Sequence, residues 1–311
     1  MRINQVGLVL PRVVVLLAAH NGLTYIKEQL ASIFSQIDVS LIVYVSIDKS
    51  TDGTEDFLLS MAEREERLKL LPLGHSFGSP GLNFYRLIKE VDFLSYDYIA
   101  YSDQDDIWET DKIFRQIRLL EISQAEGVSS NVIAFGDGLK DKIVKKSQPQ
   151  KIFDFIFESA GPGCSFLMSP NLVNKVYEQL ISETSVANTV LMHDWLTYSI
   201  CRAHSMKWVI DSIPSLKYRQ HQNNVIGANL GLKSILARYK KIKNGWYRGE
   251  VRKICKVCLD INGDVNLSKL NKILDRKNFL SNVLLMSYVF QGRRKFTDRL
   301  LLATMVLLCV F

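Results

Sequence analysis

Residues 13–18, Val-Val-Val-Leu-Leu-Ala, form a short β-branched run with no polar interruption, the pattern of a strand buried on both faces of a parallel sheet. Ile26, Leu30, Ile33 and Phe34 then recur at helical spacing while Lys27, Glu28 and Gln29 fall on other faces, which predicts an amphipathic helix. The alternation continues. Residues 41–47 read as a second buried strand ending at Asp48, 51–61 as a helix, 68–71 as a third strand, 83–91 as a helix, and 98–101 as a fourth strand running into Asp103. Ile113, Ile117 and Leu120 place one more helix over 111–122. Farther on the order is mixed, with candidate strands at 131–135, 164–168, 207–210 and 216–219 and a helix over 194–201. From Gly231 the pattern turns helical and basic, so two regions are predicted, 10–228 and 229–311. No internal repeat or low-complexity segment interrupts either.

Strands alternating with helices imply a mostly parallel central sheet flanked by helices, with right-handed crossovers. Ligands in such α/β sheets bind beyond the carboxyl ends of the strands. Three polar clusters follow predicted strands: His20-Asn21-Gly22, residues 48–54 and residues 103–108. They are expected to meet on one rim. A dinucleotide-dependent dehydrogenase on a similar sheet is excluded, because no GxGxxG follows the first strand.

The length of 311 residues accommodates one large α/β domain plus an appendage. Charge is unevenly placed: residues 229–311 hold 17 Lys and Arg against 5 Asp and Glu, and the residues before them 22 against 27. A basic tail beside an acidic body points to an anionic partner, nucleic acid or an acidic membrane surface. The tail has no aromatic-rich RNA-binding motif, so nucleic acid is not expected. Five cysteines without framework spacing favour a reducing compartment; Cys255 and Cys258 have CxxC spacing, but no second pair completes a zinc site. The N-terminus lacks the apolar run and cleavage site of a signal peptide. Residues 300–311 are almost wholly apolar, too short to span a bilayer alone. With Arg293, Arg294, Lys295 and Arg299 before them, they read either as a helix lying at a membrane surface or as a buried terminal helix.

Asp103-Gln-Asp105-Asp106 crowds three carboxylates behind a strand. In isolation such a stretch is a solvated acidic turn or, if something positive compensates the charges, a site for a divalent cation, since magnesium and manganese bind through one or two carboxylates together with substrate phosphates.

The stretch resembles the inverting family 2 glycosyltransferases of the GT-A fold, in the branch that includes bacterial rhamnosyltransferases of surface polysaccharide assembly. The resemblance is carried in order by Ala18-Ala-His-Asn-Gly22, Ser46-Ile-Asp-Lys-Ser-Thr-Asp-Gly-Thr54, Gly81-Leu-Asn-Phe84, Ser102-Asp-Gln-Asp-Asp-Ile-Trp108, Gly161-Pro-Gly-Cys164, His193-Asp-Trp195 and Tyr218-Arg-Gln-His221. It covers residues 10–228 and leaves out the basic helical extension. It implies that His20, Asn21 and Asp48 contact the donor nucleotide, Asp48 at the pyrimidine base, and that Asp52 steadies the second loop. Asp103 would face the ribose. Asp105 would hold the Mg2+ or Mn2+ ion bridging the diphosphate, with His221 as a further metal or phosphate contact and Arg219 against phosphate charge. Asp194 is implied to be the base that removes the acceptor proton, with Trp195, Gly163 and Cys164 shaping the acceptor side. Three positions depart from the family pattern: His20 replaces a frequent tyrosine, Ile47 a second acid, and His193 the first acid of an acidic pair, which leaves Asp194 as the one carboxylate there.

The expected function is inverting transfer of a sugar from a nucleoside diphosphate, dTDP-rhamnose or a UDP-hexose, to a glycan or lipid-linked glycan in bacterial surface polysaccharide synthesis. The expected setting is the cytoplasm, at the inner face of the cytoplasmic membrane, with peripheral contact through the C-terminal region. A noncatalytic nucleotide-sugar or nucleic-acid binding module on the same fold is the alternative.

Overall fold

Strand β1 (Arg12–Ala19) buries every residue after Arg12, and its side chains divide between two cores. Val13, Val15, Leu17 and Ala19 enter one hydrophobic cluster, whereas Val14, Leu16 and Ala18 enter the other. Period-two alternation thus carries an unbroken apolar run through a sheet covered on both sides. We describe, from a computed structural model, residues 9–136, 139–221, 244–276, 278–309 and 311. The boundary expected near residue 228 lies outside the described residues.

After β1 come α1 (Ile26–Phe34), β2 (Ser40–Ile47), α2 (Thr54–Ala62), β3 (Leu68–Leu70), α3 (Pro80–Glu90) and β4 (Tyr98–Ser102). The pairs β1–β2, β2–β3 and β1–β4 are all parallel. Helix α3 begins where Pro80 occupies the first turn and the Ser79 hydroxyl accepts the Leu82 N–H, which removes one of the orphan donors of a helix start and satisfies another.

The mixed half contains β5 (Ile107–Trp108), α4 (Lys112–Ser123), β6 (Gly127–Ser130), β7 (Val132–Gly136), β8 (Leu139–Val144), α5 (Asp154–Phe157), β9 (Leu167–Met168), α6 (Pro170–Ile181), α7 (His193–Ala203), β10 (Trp208–Asp211) and β11 (Leu216–Arg219). The main sheet runs β10-β6-β9-β4-β1-β2-β3, with β9 antiparallel to both neighbours. The strand expected over 164–168 shrinks to Leu167–Met168, because Ser165 turns back to bond the Pro162 carbonyl through its N–H and hydroxyl. The segment 216–219 belongs to a second sheet, ordered β5-β11-β7-β8. That small sheet carries β11 over the acidic loop.

Helices α8 (Trp246–Asn262), α9 (Val265–Asp275), α10 (Phe279–Gly292) and α11 (Phe296–Leu307) make up the described part of the basic extension. Val251, Ile254, Val257, Leu270 and Leu285 share one core cluster with Leu196, Tyr198 and Ile200 of α7 and with Leu16 of the sheet. Cys255 and Cys258 are buried in that cluster as free thiols. Over residues 300–311 one side of α11 is packed and the other is not: Leu302, Ala303, Met305 and Val306 are buried, while Leu300, Leu301, Leu307 and, just past the helix, Leu308 are exposed. Arg294 is buried rather than displayed to solvent. Among the described residues no helix is long and apolar enough to cross a membrane.

Because α8 shares its core with α7, truncating a fully buried α8 side chain should loosen α7 and the sheet as well. Ile254→Ala is expected to destabilise the whole chain by about 2–5 kcal/mol. Urea unfolding followed separately by tryptophan fluorescence and far-ultraviolet circular dichroism should show one transition moved to lower urea.

Candidate functional site

Register brings the loops together. Ala19 lies opposite Ile47 and Leu17 opposite Ser102, so the chain leaves β1, β2 and β4 at nearly the same level of one rim. Side chains then join the exits. The Gln104 amide binds the His20 backbone at both ends, accepting its N–H at 2.7 Å and donating to its carbonyl at 2.8 Å. Asn21, in a left-handed conformation with φ 46°, accepts the Thr51 N–H at 2.8 Å, and its own N–H reaches the Ser50 hydroxyl at 3.0 Å. Asp52 accepts from the Leu23 and Thr54 N–H groups at 3.0 Å each. His20 and Asn21 remain exposed at the lip.

Asp48 points away from the other acids, toward the segment between β3 and α3. Its carboxylate accepts N–H groups from Lys49, Phe77 and Gly78 at 3.0, 2.8 and 2.9 Å. It therefore occupies one end of the rim, beyond β2, while Asp103 and Asp105 follow β4 on the other side of β1.

Asp105 and Asp106 are held by β11. Arg219 donates its backbone N–H to Asp106 at 3.0 Å and its Nε to the Asp105 carbonyl at 2.8 Å. Its guanidinium is stacked 4.5 Å from the ring centres of Tyr25 and of Phe135 and is paired with Glu28. Arg219 thus braces the acidic loop. His221 Nε2 lies 2.5 Å from Asp105 Oδ2, and its ring stacks on Tyr25 at 5.3 Å.

The crowding has electrostatic consequences. Burial, then the Asp105 and Asp194 carboxylates, push Asp103 up to about 7, and burial with Asp105 and Asp103 pushes Asp106 well up. Negative charge here is under-compensated, the condition a cation relieves. The described groups that bring three ligand atoms within 4.8 Å of one another are Asp103, Asp106 and Cys164. Cys164 is fully buried and its thiol is pushed up by burial and by the neighbouring acids. A protonated thiol suits neither magnesium nor manganese, which prefer oxygen. The carboxylates and the His221 imidazole are the donors that fit such an ion.

Asp194 opens α7, where Oδ1 accepts the Trp195 N–H at 2.7 Å. Burial raises its carboxyl to about 6, partly offset by that N–H, by Ser159 and by Lys146. Beside it, His193 stacks on Phe84 with ring centres 3.7 Å apart and is pushed down to about 3 by burial, so a neutral ring stands where the pattern has an acid. Gly163 allows the close approach: a Cβ there would meet His193 Nε2 at 2.5 Å and the Asp194 Cβ at 3.3 Å. Trp195 sits apart from this surface. It is 5% exposed, donates its indole N–H to the Phe155 carbonyl at 2.9 Å and stacks on Tyr247 of α8, so in this arrangement it is an interior packing residue. Cys164 is likewise interior.

Two contributors escaped the sequence reading. Gln104, the middle residue of the acidic motif, joins the first loop to the third, and no spacing rule announces an amide's partner. Ser159 adjoins Asp194 from outside every motif.

Comparison with known proteins agrees with this geometry. The family model described as glycosyl transferase family 2 matches residues 14–176. The chain is 39% identical over 299 residues to the dTDP-rhamnosyl transferase RfbG of Shigella flexneri, covering 95% of this chain and 100% of that one. Among solved structures it superposes on S. aureus TarS 1–349 in complex with UDP-GlcNAc with a TM-score of 0.56 at 12% identity, over 95% of this chain and 90% of that one. The mannosyltransferase PcManGT of Pyrobaculum calidifontis, in complex with GDP-Man and Mn2+, gives 0.53 at 14% identity over 97% and 86%. At such identities these two likenesses show the fold alone, and the fold is GT-A. The chain belongs to glycosyl transferase family 2 and is a glycosyltransferase.

Proposed function

We propose that the chain transfers rhamnose from dTDP-rhamnose to a glycan or lipid-linked glycan in surface polysaccharide synthesis, with inversion at the anomeric carbon. The observation that carries the donor is the near full-length 39% identity to a dTDP-rhamnosyl transferase. The rim supports the reading, because Asp48 and the acidic loop stand about 10 Å apart across two strand spacings, a separation suited to a base at one end and a diphosphate at the other. His20 and Asn21 line the lip between them, and Asp103 turns toward the ribose. Arg219 keeps Asp105 in place. Asp105 and His221 would hold a Mg2+ or Mn2+ ion, which when bound supplies Lewis-acid stabilisation of the departing diphosphate.

Asp194 is the proposed base. A carboxylate raised to about 6 is still mostly ionised near neutrality, yet a better proton acceptor than an ordinary aspartate. Gly163 keeps the neighbouring backbone close without a side chain over that carboxylate. The catalytic unit is proposed to span 10–228 and the helical extension 229–311. The exposed Leu300, Leu301 and Leu307 of α11, with Leu308 just beyond it, form the proposed contact with the inner face of the cytoplasmic membrane.

Asp194→Asn should lower transfer by about 10²–10⁴-fold and leave the dTDP dissociation constant within about twofold; a noncatalytic binder would show no transfer before mutation. The base must be ionised, so kcat should fall as pH drops through about 6, and a limb near 4 in a pH–rate profile would contradict the assignment. In parallel assays, dTDP-rhamnose should be consumed in preference to UDP-hexoses. Replacing Leu300 and Leu301 by Glu should abolish flotation with vesicles containing anionic lipid while the melting temperature stays put; equal flotation would remove the proposed contact.

A further inference from the structure

We infer that Arg294, in the turn between α10 and α11, is a positioning residue for Asp194, so that the C-terminal helices complete the transfer site. The inference rests on the assignment of Asp194 as base. Arg294 Nη1 donates to Asp154 Oδ2 at 3.0 Å, Nη2 to the Ser159 carbonyl at 2.6 Å, and its backbone N–H to Glu158 Oε1 at 2.5 Å. One side chain thereby grips both ends of the segment 154–159. The segment then reaches the site by two contacts: the Ser159 hydroxyl donates to the Gly161 carbonyl at 2.9 Å, in the loop where a Cβ on Gly163 would meet the Asp194 Cβ at 3.3 Å, and the Phe155 carbonyl accepts the indole N–H of Trp195, next to Asp194, at 2.9 Å.

The grip is rigid for physical reasons. Asp154 is fully buried and is also held by Arg202 Nη1 at 2.9 Å and the Tyr198 hydroxyl at 3.0 Å. Asp154 is thus fixed from α7 as well as from the turn that carries Arg294, which anchors the start of the segment on both sides. Next to Arg294, a Cβ on Gly292 would come within 2.3 Å of the Phe157 ring, which leaves the turn no room to slide. A buried ion cluster is a poor device for stability alone, because well-packed apolar residues do as well or better. What the planar guanidinium adds is direction: two acceptors are reached at fixed angles from one rigid fork.

Arg294→Lys keeps the charge for Asp154 but cannot reach the Ser159 carbonyl at the same time, and is the primary test. It should lower kcat about ten- to a hundredfold, hold the dTDP dissociation constant within about twofold, and speed hydrogen–deuterium exchange at residues 159–165 and 193–195 with residues 20–22 and 50–54 unchanged. Ser159→Ala cuts the same link at its other end and should lower kcat in the same direction, which covers the case of a lysine variant that does not fold. Unchanged kcat in the folded variants overturns the proposal, as does a loss of donor affinity and of exchange protection throughout the chain, which would mark Arg294 as structural only. The exchange pattern needs no turnover. A wild-type chain without transfer would therefore refute the base assignment, whereas unaltered exchange at 159–165 would refute the link itself.

Discussion

Negative charge in a confined space is the constraint on which the rest of the structure turns. Asp103, Asp105, Asp106 and Asp194 come from two distant parts of the chain, and burial together with the neighbouring carboxylates raises the proton affinity of Asp103 and Asp106. Such a cluster is unfavourable unless positive charge compensates it, and the scaffold is arranged to hold it in place. Strand β11 braces the acidic loop with a backbone N–H and a stacked guanidinium. Gln104 fastens that loop to the exit of β1. A site held open in this way has little to reorganise when substrate arrives, which is the condition for electrostatic stabilisation of a developing leaving group.

The C-terminal helices belong to the same account. Their apolar faces continue the core that covers one side of the sheet, and the buried Arg294 joins Arg202 of α7 in the ion cluster around Asp154. An extension that reads in sequence as a cationic appendage is, over Arg293 and Arg294, an internal strut: Arg293 faces Glu158 and Asp298, and Arg294 faces Asp154 and Glu158. The exposed leucines of α11 lie on the opposite side from its buried ones, so one short helix can pack inward and still present apolar surface outward.

The legible part of the fold was the part whose physics is local. A six-residue apolar run declared β1, helical spacing declared α1 and α4, and strand ends followed by polar clusters declared the rim. The acids of that rim were visible because crowded carboxylates are conspicuous. Less visible were facts that depend on which side of an element meets which neighbour. Trp195 and Cys164 stand next to site residues in sequence but face the interior, and Arg294 looks solvated until Asp154 is folded against it. The small second sheet was hidden because β11 pairs with β5 and β7, segments too short or too mixed to signal their partners. Helix α6, with its serine cap and Pro170 in its first turn, carried an adequate signal that the reading passed over.

We propose that the acidic rim holds a nucleoside diphosphate through a divalent cation. Isothermal titration of dTDP into the protein, once with Mn2+ and once with EDTA, tests it most directly. Affinity should be at least about tenfold higher with Mn2+, with the gain lost in Asp105→Ala by removal of one carboxylate ligand. Equal affinity in EDTA, or a gain that survives Asp105→Ala, would contradict it.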